Sequence, residues 1–390
     1  MREFYGFDDT ALALLDKLDT VVRESIAPAA AGVDREAAFP RAQLQALGAA
    51  GFYGLTVDPK YGGLGQGPRV FAAVIETIAR ACGSTAMVYL MHVCGTQVIA
   101  ARLPGGGAGE KILRDIAAGK HLTTLAFSEK GSRSHFWAPV SKETRAGTGK
   151  RLAAEKSWVT SAGEATSYVV STLAAEAKTA TESTLYLVAA GARGLGVTGR
   201  FDGLGLRGNA SAPMKLEGVE VSDADLVSEP GKGFDVMMGV VLPWFQVGAA
   251  AVAVGTAEAA FVATAAHLGA ARLEHMGVTL AEALPNLRAS VATMRTEIDR
   301  SRAQLAFTAG AMEKPGPHTM PAVLSAKLQA GDMALTVTDL AMRTCGGAAF
   351  SKQLSVERHF RDARAGSVMA PTSDALKDFL GKAVLGLPLF

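Results

Sequence analysis

Apolar residues recur every three or four positions early in the chain, at Leu12, Leu15, Leu18 and Val21, and again from Val70 to Ile78 and from Ala86 to Ile99. A period near 3.6 sets such side chains on one face of a helix, so this region is predicted to be helical. The stretch Asp58-Pro59-Lys60-Tyr61-Gly62-Gly63-Leu64-Gly65 breaks the pattern, because its glycines permit backbone angles that other residues avoid. From Leu122 to about Val227 the runs shorten, as in Ser167–Thr172 and Thr184–Val188, and Gly, Thr and Asn turns separate them, which predicts a compact β-domain. After Gly231-Lys232-Gly233-Phe234 the helical period returns in long Ala-rich segments, Val247 to Ala266, Leu284 to Met312 and Ala322 to Thr344. Small side chains at that spacing suit closely packed bundle helices. The expected fold class is α+β in three parts: an N-terminal α-helical domain over residues 1–121, a middle β-domain over 122–228, and a C-terminal four-helix-bundle domain over 229–390.

With 390 residues, 49% of them hydrophobic, the chain can bury a large core. Thirty-nine basic residues against 37 acidic ones leave a net charge of +2, which argues against nucleic acid or an anionic membrane as the main partner. The N-terminus, Met1 to Asp9, carries acids where a secretory signal needs an apolar run, and no stretch reaches ~18 uninterrupted apolar residues. A cytoplasmic location is expected. Cys82, Cys94 and Cys345 are odd in number and lack paired metal-type spacing, so buried free thiols are expected rather than a disulfide or a metal site.

Four stretches carry candidate chemistry. They are Tyr61-Gly62-Gly63-Leu64-Gly65; Phe127-Ser128-Glu129-Lys130-Gly131-Ser132-Arg133-Ser134; Ser157-Trp158-Val159-Thr160-Ser161-Ala162-Gly163 with Leu206-Arg207-Gly208-Asn209-Ala210-Ser211; and Cys345-Gly346-Gly347 with Glu357–Ala363 and Val368–Asp374. In this order, along nearly the whole chain, they resemble the acyl-CoA dehydrogenases. Lys130, Arg133 and His135 depart from the family's loop.

The resemblance implies an FAD cofactor. Phe127, Ser128, Ser134, Trp158 and Thr160 would then line the flavin, with Thr160 near N5 and Trp158 over one edge of the ring; hydrogen bonds and an apolar face are what tune an isoalloxazine. Arg272 would bind the pyrophosphate. Gly346 and Gly347 would let the backbone approach the FAD of a neighbouring subunit, since a Cβ there would collide. Arg343 stands where the family often has glutamine, and Thr372 keeps the threonine near the flavin. Asp374 would point toward the cofactor or cap a helix beginning near Ala375. A shared cofactor implies a homotetramer, or at least a homodimer.

One departure matters most. The family's usual Glu-Gly-Thr is here Ala370-Pro371-Thr372, and alanine cannot accept a proton. The alternative site for the carboxylate, on the bundle helix, falls at Trp244 or Phe245, with Gln246 where arginine is common. Losing a positioned base typically costs on the order of 100- to 10,000-fold. His92 is the candidate catalytic group that remains, because imidazole titrates near neutral pH; His135 is expected to face solvent or a ligand, and Glu129 to be structural. Three readings stay open: an acyl thioester dehydrogenase with a relocated base, a reduced-flavin-dependent monooxygenase on the same fold, and a non-catalytic flavin-binding homologue. The substrate is a small molecule, with CoA and carrier-protein thioesters both open, and the electron partner is an electron-transfer protein or a flavin reductase.

Overall fold

Asp8 starts the first helix: its backbone is extended and its Oδ1 accepts from the Ala11 N–H at 2.8 Å, satisfying one of the amides that a helix start leaves free. The computed structural model describes residues 2–103, 108–133, 135–147 and 149–389. Its N-terminal helices are α1 (Asp9–Val21), α2 (Ala27–Glu36), α3 (Arg41–Ala49), α4 (Pro68–Ala81), α5 (Gly83–Ala101) and α6 (Ala108–Ala117). Strands β1 (Thr123–Ala126), β2 (Thr144–Ala146), β3 (Gly149–Val159), β4 (Ser167–Leu173), β5 (Ser183–Ala189), β6 (Leu195–Val197) and β7 (Ala212–Val221) follow. The remainder is α7 (Gly233–Val236), a π-helical turn (Met237–Val241), α8 (Leu242–Ala270), the small hairpin β8 (Arg272–Leu273) and β9 (Val278–Thr279), α9 (Leu280–Ala283), α10 (Pro285–Glu313), α11 (Thr319–Cys345), α12 (Gly347–Phe350), α13 (Val356–Val368) and α14 (Ser373–Leu385).

The β-domain holds two sheets. In one, β1 runs parallel to β4 and β4 antiparallel to β5; in the other the order is β2-β3-β7-β6, all antiparallel. Leu152, Val159, Tyr168, Tyr186, Met214 and Leu216 fill the core of the β-domain.

The helical core is continuous between the N- and C-terminal parts, with α8 packed against α4, α10, α11 and α13. Small residues make this possible. A Cβ added at Gly255 would stand 2.5 Å from the Glu76 carbonyl oxygen of α4, and one at Gly248 would stand 2.1 Å from Leu90 of α5. Two helical stretches, Gly83–Ala101 and Gly233–Ala270, are long and apolar enough to cross a bilayer, but 78% and 61% of their most apolar windows lie buried inside the protein. They serve here as core helices.

One cluster of charges inside this core is paired, which offsets the cost of burial. Arg302 donates to Glu76 at 2.9 Å and to Glu258 at 2.6 Å, while the Tyr5 hydroxyl donates to Glu76 at 3.0 Å. A second junction joins all three parts of the chain. Arg361 of α13 grips both carboxylate oxygens of Asp34 in α2 at 2.8 and 2.6 Å, Arg207 donates to the Asp34 carbonyl at 2.8 Å, and the Leu206 N–H donates to Asp362 at 2.6 Å.

Candidate active site

An extra residue in β3 shapes the first wall. Lys156 pairs with Met214 of β7 and Val159 with Ala212, so three steps on β3 face two on β7. Such a bulge re-aims a side chain. Trp158 sits in it with φ +57°, is 71% exposed as a residue, and stands edge-on to Phe201 at 6.5 Å. A tryptophan at positive φ costs about 1–3 kcal/mol and persists only where the surroundings impose it. Thr160, two residues further on, is buried and shares a hydrogen bond with Ser211 at 3.2 Å, whereas the buried Ser161 hydroxyl has no partner among the described residues.

The loop before β2 is fastened from inside. Glu129 accepts from the Val140 and Ser141 amides at 2.8 and 2.7 Å, from the Ser141 hydroxyl at 2.6 Å and from Lys156 at 2.6 Å. Burial works to raise the Glu129 pKa, but Lys156 and Ser141 outweigh it and hold the carboxyl below its ordinary value. Its role is structural. Half-buried Ser128 accepts the Ser157 amide on its carbonyl at 2.9 Å, which ties the loop to the bulge. Phe127 is buried and stacks on Phe136 at 6.4 Å; Phe136 meets Trp137, and Trp137 meets Phe379 of α14 at 5.4 Å. This aromatic ladder carries the β-domain onto α14. His135 is exposed beside Trp137, and Ser134 lies outside the described residues.

The second wall is the loop between α13 and α14. Ala370 is half-buried there and offers a methyl group. Thr372, not Asp374, caps α14, accepting the Ala375 amide at 3.3 Å; Asp374 has a side chain 96% exposed, 3.8 Å from Lys377. Asp374 therefore is exposed and does not take the expected capping role. Beneath the loop lies Lys327 of α11, whose Nζ donates to the carbonyls of Gly366, Met369 and Pro371 at 2.9, 3.1 and 2.7 Å. Burial pulls its pKa down to about 7, while three carbonyl dipoles favour the ammonium.

The expectation for His92 needs correction. Its ring is fully buried, Nδ1 accepts the Thr123 amide at 3.2 Å, and Nε2 lies 3.1 Å from the Tyr53 carbonyl oxygen, which assigns the ring proton to Nε2. Burial lowers its pKa to about 3. Both nitrogens are committed to backbone, so the ring pins α5 to β1 and has no free lone pair for a substrate. At the start of α8, Trp244 and Phe245 are half-buried aromatics, and Gln246 is fully buried with neither amide atom partnered among the described residues.

The remaining expected residues gather elsewhere. Cys345 donates to Thr264 at 3.5 Å, which sets the C-terminal ends of α8 and α11 together, so Arg272, Arg343, Gly346 and Gly347 share one end of the bundle, all exposed. From Lys327 to Cys345 is ~27 Å along the helix axis. This end of the bundle thus lies far along α11 from the carbonyls that Lys327 holds. Arg272 donates to the Gly277 carbonyl. A Cβ at Gly346 or Gly347 would meet nothing within 4 Å among the described residues; Gly346 is favoured by its φ of +55°.

Models of the acyl-CoA dehydrogenase N-terminal and C-terminal domains match residues 8–119 and 231–385. The chain belongs to the acyl-CoA dehydrogenase superfamily. It is an FAD-dependent oxidoreductase of that type. Among relatives, the probable acyl-CoA dehydrogenase YngJ of Bacillus subtilis (strain 168) is 29% identical over 367 residues, covering 93% of this chain and 94% of that protein. Two solved structures share the fold: butyryl-CoA dehydrogenase from Megasphaera elsdenii (TM-score 0.91, 22% identity, 98% and 99% coverage) and the FAD complex of PigA (TM-score 0.89, 16% identity, 98% and 99% coverage).

The residues present fit the cofactor of an acyl-CoA dehydrogenase. An exposed indole held at a strained angle gives a flat apolar platform, and the unpartnered Ser161 hydroxyl beside it is a spare polar group at the same bulge. Trp158, Thr160 and Ser128 would hold the ring here; bound FAD supplies two-electron oxidation and reduction. Lys327 was missed by sequence reasoning. Its signal was a lysine in an apolar stripe, four residues after Val323 and seven before Ala334, both fully buried.

Proposed function

We propose that this enzyme oxidises a small organic substrate without a protein carboxylate at the α-carbon, and that oxygenation dependent on reduced flavin is the form its pocket supports best. One observation carries the reading: position 370 has no carboxylate, and the two nitrogen bases buried in this region, His92 and Lys327, are already engaged by backbone. Ala370 carries a methyl, both His92 nitrogens bind backbone, Asp374 faces solvent and the Lys327 nitrogen is filled by three carbonyls. Oxygenation asks for no α-proton: one atom of O2 enters the product, the other leaves as water, and two electrons come from reduced FAD replenished by a flavin reductase. The chain's part is to seat the ring on Trp158, keep the aromatic ladder of Phe127, Phe136 and Trp137 closed over the loop, and exclude water.

Desaturation of an acyl thioester, with electrons passed to an electron-transfer protein, is the second reading, favoured by 29% identity to a probable acyl-CoA dehydrogenase over 93% of the chain. The exposed Arg272, Arg343, Gly346 and Gly347, with Phe350 85% exposed beside them, support a homodimer or homotetramer in which this end of the bundle meets a second copy and its FAD. The test mixes protein and FAD with butyryl-CoA without oxygen, and separately with a flavin reductase, NADH and O2 and a panel of small organic acids and thioesters. Product labelled from 18O2 with no anaerobic bleaching supports oxygenation. Anaerobic bleaching by the thioester overturns it in favour of desaturation.

A further inference from the structure

We infer that Lys327 is the positioning residue of the loop that carries position 370, clamping the backbone on both sides of that residue and so fixing what it presents to the flavin. The inference rests on the flavin reading above. Lys327 is 2% exposed, mid-way along α11, and its three hydrogens meet three acceptors, the carbonyls of Gly366, Met369 and Pro371. None of the ion pairs among the described residues involves it, so the charge answers to backbone alone.

Those carbonyls are not arbitrary. Gly366 lies in the last turn of α13 and Met369 is its C-cap, where carbonyls lack intrahelical partners and carry the negative end of the helix dipole. Pro371 directly precedes Thr372, the N-cap of α14. One cation therefore joins the end of α13 to the start of α14, and the two carbonyls it holds inside the loop flank Ala370. Gly331 of α11 and Gly366 face each other across this contact, where a Cβ on either would lie 4.0 Å from the other, an ordinary packing distance.

A buried ammonium is an expensive way to fill space, since desolvation costs several kcal/mol per ion and an apolar side chain would pack the same volume. Its return is directional. The side chain at 370 has no rotatable bond of its own, so its position against the ring follows the backbone, and the backbone follows Lys327.

The test replaces Lys327 by methionine, which keeps the length and removes all three donors. Hydrogen exchange is followed over residues 366–376 in protein without added FAD, and the visible circular dichroism and reduction potential of FAD are followed in the holoprotein. Lys327→Met is expected to speed exchange in that segment by ~10-fold or more while the β-domain is unchanged, and to shift both flavin signals. Lys327→Arg keeps the charge, but a planar guanidinium cannot set three N–H groups at one point, so its shifts are intermediate. A Lys327→Met protein with lowered thermal stability and wild-type flavin signals would make Lys327 a packing residue and overturn the inference, as would unchanged exchange. Should Lys327→Met not fold, Lys327→Arg decides, with wild-type flavin signals counting against the clamp. If wild-type protein takes up no FAD, the functional reading fails, and exchange over residues 366–376 still judges the clamp.

Discussion

Two buried lysines hold the two walls of the site in opposite ways. Lys156, in the β3 wall, meets a carboxylate, Glu129, and the pair fastens the loop beneath a strained, exposed Trp158. Lys327, under the α13–α14 loop, meets only carbonyls and supports a backbone whose side chain has shrunk to a methyl. At the first wall the fold sustains strain to present one particular ring. At the second it sustains a buried charge to present a backbone position, whatever residue occupies it. Chemistry can therefore be lost at position 370 while the frame around it stands.

Breaking the first anchor should have the largest effect. Lys156→Met leaves Glu129 charged and unpaired in the interior and should destabilise the protein by about 3–5 kcal/mol, read by urea denaturation. Next comes Ala370→Glu, which tests whether the second wall still holds a usable frame: anaerobic bleaching of FAD by an acyl-CoA should rise on the order of 100- to 10,000-fold. No gain would mean that the loop no longer aims residue 370 at the flavin. Trp158→Gly separates platform from stability. Losing a large apolar contact should weaken FAD binding by ~30-fold in titration, whereas relief of the positive φ offsets the entropy of glycine and keeps unfolding free energy within ~1 kcal/mol.

The smallest effect concerns His92, which precedes both walls in sequence and belongs to neither. Its pKa falls from 6.5 to about 3 on burial, so the unfolded chain takes up a proton below pH 6.5 that the native state refuses. Stability is then full above pH 6.5 and falls as pH drops toward 3, by at most ~1.4 kcal/mol per pH unit from this group. His92→Leu should flatten that part of the stability profile and leave substrate turnover at neutral pH near wild type; a collapse in turnover with FAD retained would restore a chemical role to the imidazole.

The order of helices and strands was legible because period 3.6 and short β-branched runs are local signals. The Trp158 wall was legible because its residues stand together in sequence, although the bulge that exposes the ring needed β7, more than 50 positions away, to be seen. His92 misled for the opposite reason. Its partners are backbone groups of Tyr53 and Thr123, and backbone carries no side-chain signature in a sequence. Lys327 was hidden in the same way, with three carbonyls for partners. Asp374 looked like a cap by residue type, but Thr372 stands one place before the helix and takes the amide first. The Gly346-Gly347 pair was expected to make room for the FAD of a neighbouring subunit; among the described residues of the chain itself, only the φ of Gly346 calls for glycine.

Asp34 has a consequence for how the molecule comes apart. Because a single carboxylate and its own carbonyl link α2, the segment after β6, and α13, melting any one of these parts strips partners from the other two. Heating should therefore produce a single calorimetric peak, and a protease that cuts a surface turn of the β-domain should leave a nicked protein that still migrates as one particle, with no fragment able to stand alone.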